Sequence, residues 1–197
     1  MSAHNAAINF AKRLLRHPKG VTIGTGSSIL RPWHIKGNQY IRIGSNTRIL
    51  DNLRVQAIGE YAGKKYSPSI IIGDDVYIGR EAYFTSINRI EIGDGCVLSD
   101  HVYITDEMHS LEPNAVPFME QPLVSKGPVS IGKKCFLGFR AAVLPGVNLG
   151  DHCIVGAGAV VTRSFPAFSM IVGSPARQIK QYNQVTHSWE PIPDDNL

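Results

Sequence analysis

The side chains best placed to do chemistry in this 197-residue chain lie around one histidine. His109 follows Asp106 and Glu107 at the entry to the stretch 106–128, which is rich in proline and polar residues. Imidazole titrates near neutral pH, so a histidine in such a loop can take a proton from an attacking group. Asp106 or Glu107 could orient the ring, as a carboxylate does in a catalytic triad. For both, a solvated loop carboxylate is the equal alternative. His4, His17, His34, His101, His152 and His187 fall in no motif and read as structural or surface residues. Cys96, Cys135 and Cys153 form an odd set with no CxxC pair, against both a disulfide framework and a zinc site.

What must position His109 is a six-residue repeat. Ile131, Leu137, Val143, Leu149, Val155 and Val161 recur in register, with Gly132, Gly138, Gly150 and Gly156 following four of them. A longer signature, apolar-x-aliphatic-Gly, marks coil starts at Val21 to Gly24, Ile41 to Gly44, Ile70 to Gly73, Ile90 to Gly93, Val129 to Gly132 and Val147 to Gly150. Three hexapeptides per coil predict a prism with three straight edges per turn, one aliphatic side chain of each edge stacking inward on its counterpart in the next coil. Glycine beside it is expected to permit the tight corner. Ser27, Thr47, Val76, Cys96, Cys135 and Cys153 share one repeat phase. The three cysteines therefore read as small buried residues rather than catalytic ones.

Two segments leave the repeat, 59–69 and 106–128, and are expected to be loops carried by the rigid prism. The fold class is an all-β solenoid, divided as 1–20, a helical cap; 21–165, the β-helix with loop 106–128; and 166–197, a C-terminal extension. Ala7, Phe10, Ala11, Leu14 and Leu15 form the stripe of the expected N-terminal helix. Ser174 before Pro175 resembles an N-cap with a first-turn proline, predicting a short C-terminal helix, with a loosely ordered tail after Asn183.

A hydrophobic content of 43% with 18% charged residues fits one globular domain. The net charge of +4 suits an anionic ligand, but no basic run exceeds Lys64-Lys65 and no aromatic residues interleave with a basic stripe, which argues against nucleic acid. The N-terminus lacks a signal-peptide apolar core and no apolar run is long enough to span a bilayer, so a cytoplasmic location is expected.

From Val129 onward the chain reads Val-Ser-Ile-Gly, Leu-Gly-Phe-Arg-Ala-Ala-Val-Leu-Pro-Gly-Val, Ile-Val-Gly-Ala-Gly-Ala-Val-Val-Thr-Arg and Gly-Ser-Pro-Ala-Arg. This resembles the hexapeptide-repeat acetyltransferases, notably the galactoside and maltose acetyltransferases and the enzymes that O-acetylate bacterial surface polysaccharides. Tyr182-Asn183, Thr186 and Trp189-Glu190 look most like the last group. The resemblance implies a left-handed parallel β-helix, a homotrimer with active sites between subunits, acetyl-CoA as co-substrate, a sugar hydroxyl as acceptor and no metal. It implies His109 as general base, because the sugar acetyltransferases carry their catalytic histidine at the same spacing from a coil start. It also places Ala157, Thr162, Arg163, Arg177 and Lys180 along the CoA path, with Gly138 and Phe139 beside the pantetheine arm. Backbone approach at small residues and cations for phosphates make chemical sense of that set. On the acceptor side the chain departs from the galactoside and maltose enzymes, with Gly79 where they carry an asparagine and Glu81 and Asn88 nearby.

Three rivals carry different expectations. A γ-class carbonic anhydrase would need interface histidine pairs, which are missing. A non-catalytic β-helix module would need neither the His109 loop nor the basic C-terminal segment. An acetyltransferase for serine or an antibiotic would share the CoA half and differ only in its acceptor.

Overall fold

The computed structural model describes residues 18–113 and 116–192. The expected N-terminal helix lies outside them. From Val21 onward the repeat winds into three parallel sheets. The first face runs from Thr22–Ile23 through Ile41–Ile43, Ser69–Ile72, Arg89–Ile92 and Val129–Ile131 to Asn148–Leu149. The second begins at Ser28–Ile29 and the third at His34–Lys36, each gaining one strand per coil.

Register confirms the six coil starts, since Ile23, Ile43, Ile72, Ile92, Ile131 and Leu149 pair in succession on the first face. Phe84, Ile104, Val143 and Val161 form the corresponding inward column of the third face, each 0% exposed. Burial of each such side chain contributes about 1.5–3 kcal/mol, so the columns supply the main drive to coil.

The corners are made differently from the sequence expectation. Residues in the left-handed region are mostly not glycine: Asn46, Asp75, Lys134 and His152 have φ of 55°, 55°, 54° and 57°. The repeat glycine is needed for close approach between coils. A Cβ on Gly24 would lie 2.5 Å from the carbonyl carbon of Gly44. At Gly132 it would lie 2.5 Å from Asp151 Oδ1, the atom that accepts from Lys133 N–H at 2.7 Å.

The small residues beside this corner have a shared task. Ser27 and Thr47 hydroxyls donate to the carbonyls of Gly44 and Gly73 in the next coil, at 2.6 and 2.8 Å. The thiols of Cys96 and Cys135 donate likewise to Gly132 and Gly150, at 3.0 and 3.2 Å. Cys153 donates to Pro166. The structural reading of the cysteines stands, with an added role as buried donors to corner carbonyls.

The C-terminal segment corrects the expected helix. Ala176–Asn183 is a strand antiparallel to Ser169–Gly173, and Ser188–Pro191 pairs with it in turn. Ser169–Gly173 itself pairs in parallel with Ile154–Val155, so its far edge offers a row of backbone groups. A two-turn helix would leave that edge unpaired, and the ladder wins. Of the expected loose tail, residues 184–191 form a closed hairpin with the preceding strand. Asn183 Oδ1 accepts from Val185 and Thr186 N–H, and Glu190 Oε1 accepts from Asn183 Nδ2 and Thr186 Oγ1.

The two departures from the repeat are loops, as expected, but they form one body. Within the first, Glu60–Tyr61 pairs with Lys64–Lys65. In the second, Met108–His109 pairs antiparallel with Leu123–Val124. Leu123, Ile58 and Ile87 make a small apolar cluster covered by Tyr61 and Tyr66, separate from the prism core.

Candidate active site

Asp106 directly follows the third-face strand of the fourth coil, Tyr103–Thr105, and is fully buried. Its carboxylate accepts from Ser86 Oγ at 2.6 Å and from the backbone N–H groups of Ile87 and Asn88 at 2.9 and 3.1 Å. Burial pushes this carboxyl above its ordinary range, with the Ser86 and backbone bonds pulling the other way. Both oxygens are used by the coil below. Asp106 therefore fixes the root of the loop, and its bonds do not include His109.

Glu107, the next residue, points its carboxylate to the outer side, where Oε1 accepts from Thr85 Oγ1 at 3.1 Å. Burial raises its carboxyl as well, while the Thr85 bond and the His109 imidazole favour the charged form. Of the two candidate carboxylates, Glu107 is the one whose charged form the His109 imidazole favours.

His109 sits on the loop's own two-stranded ladder, opposite Leu123. The Tyr61 ring meets it edge-on, with centroids 5.5 Å apart. Tyr61 is held in turn by its hydroxyl, which donates to Met119 O at 2.6 Å, and Tyr66 donates to Leu123 O at 2.9 Å. Buried Gln121 closes the rest of the loop through Glu112 and the Val116 carbonyl. The Nδ1 atom of His109 is buried and has no hydrogen-bond partner among the described residues. The ladder to Leu123 and the edge of Tyr61 are the contacts that place the ring.

Tyr61, Tyr66, Thr85 and Tyr103 belong to this centre and were not singled out in the sequence. Burial raises the Tyr66 and Tyr103 phenols, which stay donors. A pair of tyrosines in the repeat-breaking segment 59–69 was the available signal.

The other candidates fall in several places. Glu81 takes a left-handed corner between the second and third faces, 3.5 Å from His101 Nδ1. Asn88 is exposed near the loop root, its N–H given to Asp106. Gly138, Phe139 and Ala157 share the Glu81 corner higher up, where Gly138 packs against Ala157 N and Phe139 lies edge-on to His101. Thr162 and Arg163 follow the last third-face strand, Val160–Val161, and are exposed, with the guanidinium 5.1 Å from the Phe165 ring centre.

Arg177 and Lys180 lie on the C-terminal strand, opposite Val172 and Met170. Three residues apart on a regular strand, they would face opposite sides. The register shift between Met170 and Ile171 returns both to one side. The pairing that the expected helix would have given is thus kept by a bulge. His109 and the Gly138, Phe139 and Ala157 group stand at opposite ends of the third face and are not brought together within one chain.

Residues 69–106 and 128–163 match the family described as the hexapeptide repeat of succinyl-transferase, and the gap between them is the His109 loop. WbbJ of Escherichia coli, which bears the name of a lipopolysaccharide biosynthesis O-acetyl transferase, is 32% identical over 167 residues, 81% of each protein. The chain belongs to the hexapeptide-repeat acetyltransferases, a class of acyl-CoA-dependent transferases. A Mycobacterium tuberculosis protein named as an acetyltransferase is 34% identical over 127 residues, 64% of this chain but only 41% of that protein. Among solved structures, a variant of AntD, an N-acyltransferase from Bacillus cereus in complex with dTDP and Coenzyme A, superposes with a TM-score of 0.71 at 20% identity, over 94% of this chain and 92% of the other. A maltose O-acetyltransferase from Clostridium difficile gives 0.54 at 21% identity, over 93% and 78%. These two share the fold. Among the described residues no helix is long and apolar enough to cross a membrane.

Proposed function

We propose that this chain is an O-acetyltransferase that moves the acetyl group of acetyl-CoA to a sugar hydroxyl in surface-polysaccharide biosynthesis, using His109 as general base. The observation that carries this reading is the setting of His109: edge-on to Tyr61, with Nδ1 buried and without a partner among the described residues, and near enough to Glu107 to favour its charged form. The name of WbbJ supports the acceptor class. With Nδ1 turned inward, Nε2 takes the hydroxyl proton as the sugar oxygen attacks, and returns it to the departing thiolate. Glu107 stabilises the imidazolium formed between those events. Acetyl-CoA supplies the activated acyl carbon.

Arg163, Arg177 and Lys180 are assigned to its phosphates, Gly138 and Phe139 to its pantetheine arm, and Ala157 and Thr162 to the rest of the CoA path. From the His109 end to the Gly138 end, the third face is about five extended residues wide, roughly 15 Å. Within one chain the two groups stay apart, which is the arrangement that a site shared by two subunits of the family's left-handed trimer would require. A stable, active monomer in light scattering would exclude that arrangement.

The test of function is acetyl transfer from acetyl-CoA to a panel of free, nucleotide-linked and lipid-linked saccharides, with serine as a control, read by mass spectrometry. His109→Ala is expected to lower turnover by about 10² to 10⁴ while the constant for acetyl-CoA stays near that of the parent. Near-parental turnover of His109→Ala at neutral pH would place the base elsewhere.

A further inference from the structure

The outer surface of the third face carries a feature that the catalytic centre does not use. Trp33 is 71% exposed, although its backbone N–H is tied to Leu53 O at 3.0 Å. A large aromatic side chain left in water on a rigid coil serves nothing in folding. The Arg54 guanidinium lies 5.3 Å from the Trp33 ring centre and 4.5 Å from that of Tyr83, bridging the two. Among the described residues Arg54 pairs with no carboxylate. Together with Asn52 and Glu81 these three residues line a groove of about 430 Å³. A depression of about 250 Å³, with His34 and Gln56 in its wall, continues it on the far side of the Trp33 and Arg54 pair.

We infer that this groove is a saccharide subsite, holding a sugar unit of the acceptor other than the one acetylated; the inference rests on the sugar acceptor proposed above. Three features support it. An exposed aromatic face can cover the apolar side of a pyranose ring, while guanidinium, amide and carboxylate groups around it suit ring hydroxyls. With the Glu81 carboxylate offsetting the Arg54 guanidinium, the groove lacks the net positive charge that a diphosphate calls for, and the occupant is a neutral sugar. Continuity is the third feature. Tyr83 touches Tyr103 on the next coil, with ring centroids 5.3 Å apart, and Thr85 on the same strand as Tyr83 bonds Glu107.

Strands in a sheet are about 4.8 Å apart, so Arg54 lies roughly 10 Å below the coil that launches His109, and about two residues along the strand from it. That span exceeds one sugar ring. The acceptor is accordingly an oligosaccharide or a growing polymer, with the acetylated unit at His109 and a neighbouring unit on Trp33. Because every lining residue is carried by a coil, the groove is preorganised and little affinity is lost to ordering.

The chain has two tryptophans, so a Trp189→Phe background leaves Trp33 as the only indole emitter. This variant is titrated with glucose, maltose and maltotriose, with N-acetylglucosamine, chitobiose and chitotriose, and with dTDP-glucose. Emission is expected to saturate with a trisaccharide at a concentration at least about tenfold lower than with its monosaccharide. In acetyl transfer, Trp33→Ala should raise KM for the longer acceptor by about tenfold, with kcat and the monosaccharide KM unchanged. If saccharides are acetylated but Trp33→Ala acts equally at every length, or emission responds to dTDP-glucose alone, the subsite is refuted while the function stands. If the parent acetylates no saccharide, the function itself fails, and the inference with it.

Discussion

Asp106 and Glu107 are adjacent carboxylates with different duties, and exchanging each for its amide should separate them. Asp106→Asn keeps an oxygen for Ile87 N–H but turns an amide toward Asn88 N–H, now 3.1 Å away from a carboxylate oxygen. One buried backbone donor then faces another donor, at a cost of about 1–3 kcal/mol. The remaining bonds lose their charge, costing about 1 kcal/mol more, while relief of a buried charge offsets part of the sum. A net loss of about 2–3 kcal/mol lowers Tm by about 4–12 °C in a chain of this size.

The pH dependence has a definite sign. Burial raises the Asp106 carboxyl, so the folded protein holds that proton more tightly than the unfolded chain does. The resulting stabilisation is complete below the unfolded value and is lost as pH rises through the raised folded value. Asparagine has no such proton, so the stability gap between parent and variant should narrow as pH rises through that range. Glu107→Gln should behave otherwise. It keeps the Thr85 contact and leaves Tm nearly unchanged, but it lowers kcat and removes an acid limb that lies above the ordinary carboxylate range. Thermal melts and kcat/KM profiles across acid to neutral pH read both effects. A parental Tm for Asp106→Asn, or a shift of its acid limb without loss of stability, would refute the assignment of Asp106 to the loop root.

Two further outcomes follow from the coils and the C-terminal strand. Replacing Cys96, Cys135 and Cys153 together by serine should be nearly neutral, because Ser27 and Thr47 already make the same bond in the same column; alanine should cost about 1 kcal/mol per site in denaturant titration, with turnover intact for the folded variant. Neutralising Arg177 and Lys180 to glutamine should raise the apparent constant for acetyl-CoA more than that for the acceptor, and an effect confined to the acceptor would remove both from the CoA path.

The prism was legible because its energetics are periodic. One aliphatic side chain per edge must be inward in every coil, and Ile43, Ile72 and Ile92 keep that phase even though the spacing between coil starts varies. The meaning of the repeat glycine was not legible, since a tight corner and a close backbone approach leave the same residue in the sequence. Only the coordinates separate Gly132, pressed against Asp151, from Lys134, which makes the left-handed corner itself. The C-terminal error has a similar origin. Ser174-Pro175 is a sound local helix signal, but an open sheet edge one strand away is a tertiary fact that no window around Pro175 contains.

The site divides along the same line. His109 could be singled out because it stands at a fixed distance from a coil start, where the repeat stops. Its surroundings could not, because Tyr61 and Tyr66 come from an earlier coil's insertion, whose spacing to His109 follows no period. Position within the repeat carries information about rungs, not about what two loops do once both have left the prism. The choice between Asp106 and Glu107 turns on the same point. Both are one or two residues from the place where the repeat ends, yet both oxygens of Asp106 are taken by the coil beneath, through Ser86, Ile87 and Asn88, whereas Glu107 gives that coil one oxygen, to Thr85. That single step from rung to loop ties up one carboxylate completely and leaves the other with one bonded oxygen, its charged form favoured by the His109 imidazole.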